Sequence, residues 1–228
     1  MILQKWDKLP ETMKNNDVKY YYDILAKRKV GLVLKRLFDF FLSLVILIIL
    51  FPFILIIAVV IKIDSPGPVL FRQTRVTQYG KHFRIFKFRT MMVDAEKAGG
   101  QLSTSNDPRI TKAGAFLRKY RLDEIPQAID VLRGTMTFVG TRPEVPKYVD
   151  HYTNEMMATL LLPAGITSTA SIEYKDEHLL LSNTIDPSTV YVNEVLPEKM
   201  KYNLISLSNW KLLNDVKTLI NTGIRIFR

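Results

Sequence analysis

The longest apolar stretch of the chain runs from Phe40 to Ile61, 22 residues with no charge and a single interruption at Pro52. As a straight helix it would measure about 33 Å at ~1.5 Å per residue, enough to cross a bilayer. Both flanks are basic: Lys35 and Arg36 precede it, and Lys62, Arg72, Arg75 and Lys81 follow it. A crossing helix carries its Lys/Arg excess on one side. Two basic flanks suit a segment that enters from the cytoplasm, bends and returns. Pro52 lacks an amide donor and disfavours helical geometry at Phe51, so Phe51-Pro52 is the expected break.

Around this run the pattern predicts one helical element from Val30 to Ile61, ended by Asp64-Ser65-Pro66-Gly67-Pro68. Val69-Leu70-Phe71 and His82 to Phe88 read as strands joined through a hairpin-like turn at Gln78-Tyr79-Gly80-Lys81. Met91–Ala98 reads as helical. So does Ile110–Tyr120, where Ile110, Ala113, Phe116 and Leu117 share a face, and so does Asp123–Leu132, closed by Gly134. Phe138 to Pro143 reads as strand and turn, and Leu160 to Ile172 as loop and strand. From Trp210 to Phe227, Leu212, Leu213, Val216, Leu219, Ile220 and Ile224 form one stripe. That stripe fits either the headgroup region of a membrane or packing on the domain. Met1–Lys29 reads as a polar, partly helical cytosolic extension without the pattern of a secretory signal, and its Tyr20-Tyr21-Tyr22 cluster is expected to pack on something.

Composition narrows the chemistry. The 228 residues fit one globular domain plus attachments, 47% are hydrophobic, and the net charge is +10. A basic chain with a lipophilic segment points to anionic headgroups and phosphates as partners. The absence of cysteine excludes disulfides, thiolate metal sites and cysteine nucleophiles, and three scattered histidines do not make a metal centre.

Three short stretches could carry chemistry. Asp123-Glu124 follows Arg118, Lys119 and Arg121. Asp123 is expected as a helix N-cap with Pro126 in the first turn, where amides and a partial positive charge favour anions. Such an acidic pair among cations can hold a divalent metal and a diphosphate together. A capped helix whose acids pair with neighbouring arginines has the same pattern. Lys87 and Arg89 alternate and would share one face of a strand. With Arg72, Arg75, Lys81 and Arg84 they form a basic surface, which either grips phosphate or merely faces anionic lipid. Gly140-Thr141-Arg142-Pro143-Glu144 is either a phosphate clamp or a structural turn.

Taken in order, the chain resembles the bacterial sugar transferases, the monotopic polyprenyl-phosphate phosphoglycosyl transferases. The likeness rests on Lys35-Arg36-Leu37-Phe38-Asp39 before an apolar run with a central proline, Ser65-Pro66-Gly67-Pro68-Val69, Phe71-Arg72-Gln73, Gly80-Lys81, and Phe86 to Met91. It continues through Asp107-Pro108-Arg109-Ile110-Thr111, Gly114, Leu117-Arg118, Leu122 to Gln127, Asp130 to Gly134, Val139-Gly140, Arg142-Pro143 and Pro163 to Thr167. Coverage runs from about residue 30 to 170.

The resemblance implies transfer of a sugar-1-phosphate from a UDP-sugar to a polyprenyl (undecaprenyl) phosphate, releasing UMP, through a covalent aspartyl-phosphosugar intermediate. It implies Asp123 as nucleophile, Glu124 beside it, and both as ligands of Mg²⁺. Lys87, Arg89, Arg118, Arg142 and Arg72 are the implied phosphate or nucleotide contacts. The expected fold is α+β and mainly helical: a re-entrant membrane helix, a small cytosolic α/β catalytic domain and interfacial amphipathic helices. The expected division is 1–29 extension, 30–62 re-entrant helix-break-helix, 63–181 catalytic domain and 182–228 C-terminal segment. The implied place is the cytoplasmic face of the bacterial inner membrane, among phospholipids and without nucleic acid, with a homodimer left open. A non-catalytic membrane adaptor that binds anionic lipid or a partner enzyme is the competing reading. A nucleic-acid binder ranks below it, since the chain has no RNP, KH or helix-turn-helix pattern.

Overall fold

The computed structural model describes residues 3–95, 107–174 and 186–226. Helix α1 spans Asn16–Ala26 and is capped by the Asn15 side chain, which accepts from the Val18 amide. Helix α2, Lys29–Asp64, contains the whole apolar run and continues through Pro52. The break expected at Phe51-Pro52 is therefore corrected: helical structure does not end there. A proline removes one amide donor, and helical structure nonetheless continues on both sides of it. Among the described residues α2 is the one helix long and apolar enough to cross a membrane.

One stripe of α2 faces the rest of the protein. Leu32, Lys35, Asp39, Ser43 and Ile61 are buried. Leu42 and Ile46 pack against a cluster of Ile85, Val131, Met136 and Phe138. Ile54 and Ile57 pack against Ile61, Phe88 and Leu117. Steps of three and four residues keep these side chains on one face. Ile48, Ile49, Phe51, Phe53, Leu55, Ile56, Val59 and Val60 are exposed.

The polar residues of the stripe are all paired. Lys35 Nζ donates to Asp215 Oδ2 at 2.6 Å, and Trp210 Nε1 donates to the same oxygen at 3.1 Å. Asp39 Oδ2 accepts from Thr137 Oγ1 at 2.6 Å. Arg36 donates to the carbonyls of Val131 and Leu132 at 2.6 and 2.8 Å, closing the C-terminus of a helix whose last carbonyls need partners. Lys35 and Arg36 are thus locks rather than a free basic flank, and the charge-flank argument loses these two cations.

The segment before α2 belongs to the main core. Leu3, Leu9, Met13, Val18, Tyr21, Tyr22 and Leu25 share one cluster with Leu160, Leu161, Leu162, Leu204, Leu207 and Trp210. The tyrosine cluster packs as expected for Tyr21 and Tyr22, while Tyr20 is exposed.

Among the described residues the strands form three two-stranded sheets. Strand β1 (Leu70–Phe71) pairs antiparallel with β4 (Lys87–Phe88), and β2 (Thr74–Val76) with β3 (His82–Arg84). Strand β5 (Met136–Val139) pairs in parallel with β6 (Ala164–Thr167). The expected single strand His82 to Phe88 splits because the Phe86 amide donates to Asp130 Oδ2 at 2.8 Å instead of to a strand. At Gly165 a Cβ would lie 2.2 Å from the Gly140 nitrogen, so the β5–β6 ends meet only with glycine.

The remaining helices differ from the pattern at their starts. Helix α3 covers Lys112–Lys119, with Thr111 as its cap, while Ile110 bridges Met91. The helix expected over Met91–Ala98 does not form at its start. Met91 is in that bridge and Asp94 has φ +61°; Glu96 onward lies outside the described residues. The expected helix Asp123–Leu132 is a 3₁₀ turn, Leu122–Glu124, followed by α4, Gln127–Arg133, which Gly134 closes at φ +83°. Helices α5 (Leu196–Ser208) and α6 (Leu212–Ile226) end the chain. On α6, Leu219 packs against the Val131 cluster while Leu213, Ile220 and Ile224 are exposed, so the stripe serves the domain and still leaves an apolar edge.

Candidate active site

Arg121 takes left-handed geometry, φ +52°, directly after α3. That turn redirects the chain into Leu122–Glu124 and buries both carboxylates, Asp123 to 3% and Glu124 to 8% exposure. A left-handed arginine costs of order 1 kcal/mol or more and persists where the surroundings impose it. The expectation of Asp123 as an N-cap is corrected. Glu124 N donates to Arg121 O and Ile125 N to Leu122 O, and Pro126 is the residue that precedes α4. The turn consumes those amides itself, so the dyad is held by side chains and not by a helix terminus.

Lys87 supplies the first of them. Phe88 of β4 is buried in the core, and alternation points Lys87 the other way, to Asp123 Oδ2 at 2.8 Å and Glu124 Oε1 at 3.5 Å. Arg142 grips both oxygens of Glu124, donating to Oε1 and, at 3.4 Å, to Oε2. It also donates to the Ile166 carbonyl at 3.3 Å. Arg121 lies 3.8 Å from Glu124 Oε2. Burial alone would raise the pKa of Glu124, but Arg142 and Lys87 outweigh it and hold the carboxyl well below the usual range. Glu124 in turn pushes the Arg142 pKa up against the effect of burial.

Arg118 approaches from α3. Its Nε donates to Thr90 Oγ1 at 2.9 Å. Burial lowers its pKa, opposed by Asp123 and Asp107. Gly114 lets α3 lie against this segment, since a Cβ there would meet the Thr90 carbonyl oxygen at 2.0 Å. Asp107 accepts from Arg109 Nε at 2.8 Å, and the Arg109 bond holds its carboxyl below the usual range.

The structure therefore brings together Asp123, Glu124, Lys87, Arg142 and Arg118. It takes Arg89 elsewhere. Arg89 is buried and donates to Pro66 O, Ser65 O and Ser65 Oγ at 2.6, 2.7 and 2.9 Å, securing the corner after α2. Strand β4 ends at Phe88, so the shared face expected for Lys87 and Arg89 does not exist. Arg72 also lies apart, stacked on Phe86 at 3.5 Å.

Sequence reasoning missed a buried polar group whose Glu144 acts electrostatically on Arg142. Tyr191 Oη donates to Glu144 Oε1 at 2.6 Å and Lys199 Nζ donates to Tyr191 Oη at 3.0 Å. Burial would raise the Glu144 pKa, but Lys199 and Arg75 bring it down. Tyr191 begins a π-helical turn, Tyr191–Val195, a form common at functional positions. Only the spacing between Glu144 and Lys199 could have signalled this, and a separation of 55 positions hides it.

A model of the bacterial sugar transferase family matches residues 30–228. The chain belongs to the bacterial sugar transferase family. Among its relatives, the UDP-glucose:undecaprenyl-phosphate glucose-1-phosphate transferase of Escherichia coli (strain K12) is 35% identical over 202 residues, 87% of this chain and 41% of that protein. The enzyme with the same name from Xanthomonas campestris pv. campestris is 36% identical over 199 residues, 85% of this chain and 39% of that protein. The undecaprenyl-phosphate galactose phosphotransferase of Salmonella typhimurium is 31% identical over 219 residues, 90% of this chain and 42% of that protein. The chain spans about two-fifths of the length of these relatives. The family match includes the dyad, its cations and α2, and begins just after α1. The family and the long apolar helix are together consistent with membrane association.

Proposed function

We propose that this sugar transferase moves a sugar-1-phosphate from a UDP-sugar to a polyprenyl phosphate, with Asp123 as nucleophile. The observation that carries the reading is the buried Asp123-Glu124 pair under Lys87, Arg142 and Arg121, within a family whose relatives bear the names of such transferases. In the first step an Asp123 oxygen bonds to the sugar-bearing phosphorus. The bond from that phosphorus to the bridging oxygen breaks, and UMP leaves with the electron pair. In the second step a phosphate oxygen of the polyprenyl phosphate bonds to the same phosphorus and Asp123 is released. Two displacements let one site serve a soluble donor and a lipid acceptor in turn.

The side chains suit this chemistry. A carboxylate that attacks a diphosphate meets like charge, and preorganised cations lower that barrier. Lys87 holds the Asp123 oxygen in place, Arg142 and Arg121 fix Glu124, and Arg118, tied to Thr90, adds a further cation for phosphoryl charge. Two adjacent carboxylates, with no third acid clustered there among the described residues, fit Mg²⁺, which is commonly held by one or two carboxylates plus substrate phosphates. Asp123 and Glu124 would hold it, and when bound it neutralises phosphate charge.

The topology we propose is re-entrant. Residues before α2 and after it share one hydrophobic core, which supports both lying on one side of a membrane. Between Ile46 and Ile54, residues of α2 that touch the domain, lie eight steps of about 1.5 Å, or ~12 Å. A crossing needs ~30 Å clear of protein. The site then works at headgroup level on the cytoplasmic face.

The test uses the membrane fraction with polyprenyl phosphate, Mg²⁺ and a panel of UDP-sugars. UMP appears with the correct donor, and Asp123→Asn abolishes it. A phosphosugar adduct on Asp123 should be trapped in the intact protein. Normal turnover by Asp123→Asn removes the nucleophile assignment.

A further inference from the structure

Beside the β2–β3 hairpin, Arg72, Gln73, Thr74, Arg84, Val145, Pro146 and Lys147 line an open groove of about 660 Å³ that shares no residue with the dyad or its ion-pair partners. Its lining contains three cations and no acid. Arg72 and Arg84 are cross-linked through the main chain: Arg72 Nη2 donates to Arg84 O at 2.6 Å and Arg84 Nη2 to Arg72 O at 3.3 Å. The Arg72 guanidinium lies 3.5 Å from the centre of the Phe86 ring, and Arg133 lies 4.9 Å from the same ring. Arg72 Nε is buried without a hydrogen-bond partner.

No carboxylate of the described residues forms a salt bridge with Arg72, Arg84, Arg133 or Lys147. Asp130 is the acid that acts on Arg72 and Arg133, and it is committed to the Phe86 amide; Lys147 lies in the field of Asp186 and donates to Ser188 Oγ at 3.1 Å. Like charges in excess of their counter-charges repel one another, and that cost is recovered when an anion binds among them. Guanidinium groups with spare N–H donors match phosphate oxygens in a fork, and an ammonium adds a point charge. Phe83, next to Arg84, packs against the cluster that includes Leu42 and Ile46 of α2.

We propose that Arg72, Arg84 and Lys147 form a second anion site, separate from the Asp123-Glu124 pair, that takes a phosphate group. The phosphate is either free or the headgroup of an anionic lipid. The site does not depend on the transferase reading, because its occupancy is read by binding and not by turnover.

The purified full chain in neutral detergent is titrated with inorganic phosphate at constant ionic strength, and separately with short-chain phosphatidylglycerol, and the unfolding temperature is followed. Each bound probe raises it. Arg84→Gln with Lys147→Gln weakens binding by about tenfold or more, the scale of two lost charge-assisted contacts. These side chains are exposed, and Arg84→Gln keeps the carbonyl that holds Arg72, so the variant folds; equal unfolding temperatures in chloride check this. Asp123→Asn binds as the unaltered protein does. A response to phosphate alone assigns a free phosphate, and a response to phosphatidylglycerol assigns the lipid headgroup. A wild type that responds to neither probe, or a folded double variant that binds both undiminished, overturns the site.

Discussion

At the scale of single residues the decisive contact is Arg142 on Glu124. Removing one partner of a buried pair leaves an uncompensated charge, at a cost of about 3 kcal/mol. Arg142→Met should therefore destabilise the protein by roughly that amount at pH 7 and reduce UMP release by about a hundredfold or more, as lost transition-state cations do. The sign with pH follows from the direction of the Glu124 shift. Its folded pKa is depressed, so its contribution is present above the unfolded value, about 4.3, and is lost as pH falls towards the folded value. In Arg142→Met the carboxyl protonates more readily, so the stability gap to the unaltered protein narrows between pH 7 and pH 3. Denaturant unfolding at both pH values measures it, and a constant gap would mean that Arg142 does not act through Glu124. Residue types made Asp123, Glu124, Lys87 and Arg142 candidates, and the ordered resemblance to the family, not the acids among cations alone, separated them from a capped helix or a structural turn. Arg89 was misplaced because alternation is only informative while a strand lasts, and β4 stops one residue short of it.

At the scale of elements the fold depends on how α2 is fastened. Periodicity located this helix to within a few residues of its ends, because apolar side chains at steps of three and four leave little else possible. It could not show what Lys35 and Asp39 do, as their partners Asp215 and Thr137 are 180 and 98 residues away. The helix after Arg121 was misread for a related reason: one left-handed residue reset the chain, and nothing in its side chain announces that geometry. Lys35 is 1% exposed and its ammonium is shared between Asp215 and, at 4.0 Å, Asp39. Lys35→Met should lower stability by about 3 kcal/mol, because Asp215 is left buried without its cation. Lys35→Met with Asp215→Asn should recover more than half of that, since the amide oxygen still accepts from Trp210 Nε1. Thermal unfolding of the two variants tests the lock, and a double variant no better than the single one would refute it.

At the scale of the whole molecule the question is which way the apolar helix carries the chain. A folded core cannot be shared across a bilayer, yet Leu25 before α2 and Leu204 after it belong to one cluster. Neither fact is visible in the sequence, where residues 1–29 read as a polar extension and the basic flanks, with Pro52 and the family resemblance, made the argument for return. The core replaces that argument with a stronger one, because it needs no assumption about where Lys35 and Arg36 sit. The chain has no cysteine, so single cysteines report cleanly. Lys5→Cys and Asn221→Cys lie at exposed positions on either side of α2. In intact cells a membrane-impermeant maleimide should label neither, and after permeabilisation it should label both. Phe53→Cys, in the exposed apolar stretch beside Pro52, should resist the reagent in both conditions, because lipid covers it. Labelling of only one terminus from outside would mean a single crossing, and with it a core that must come apart in the membrane. Labelling of Phe53→Cys after permeabilisation would instead place the tip in water, leaving α2 to lie against the domain without entering lipid.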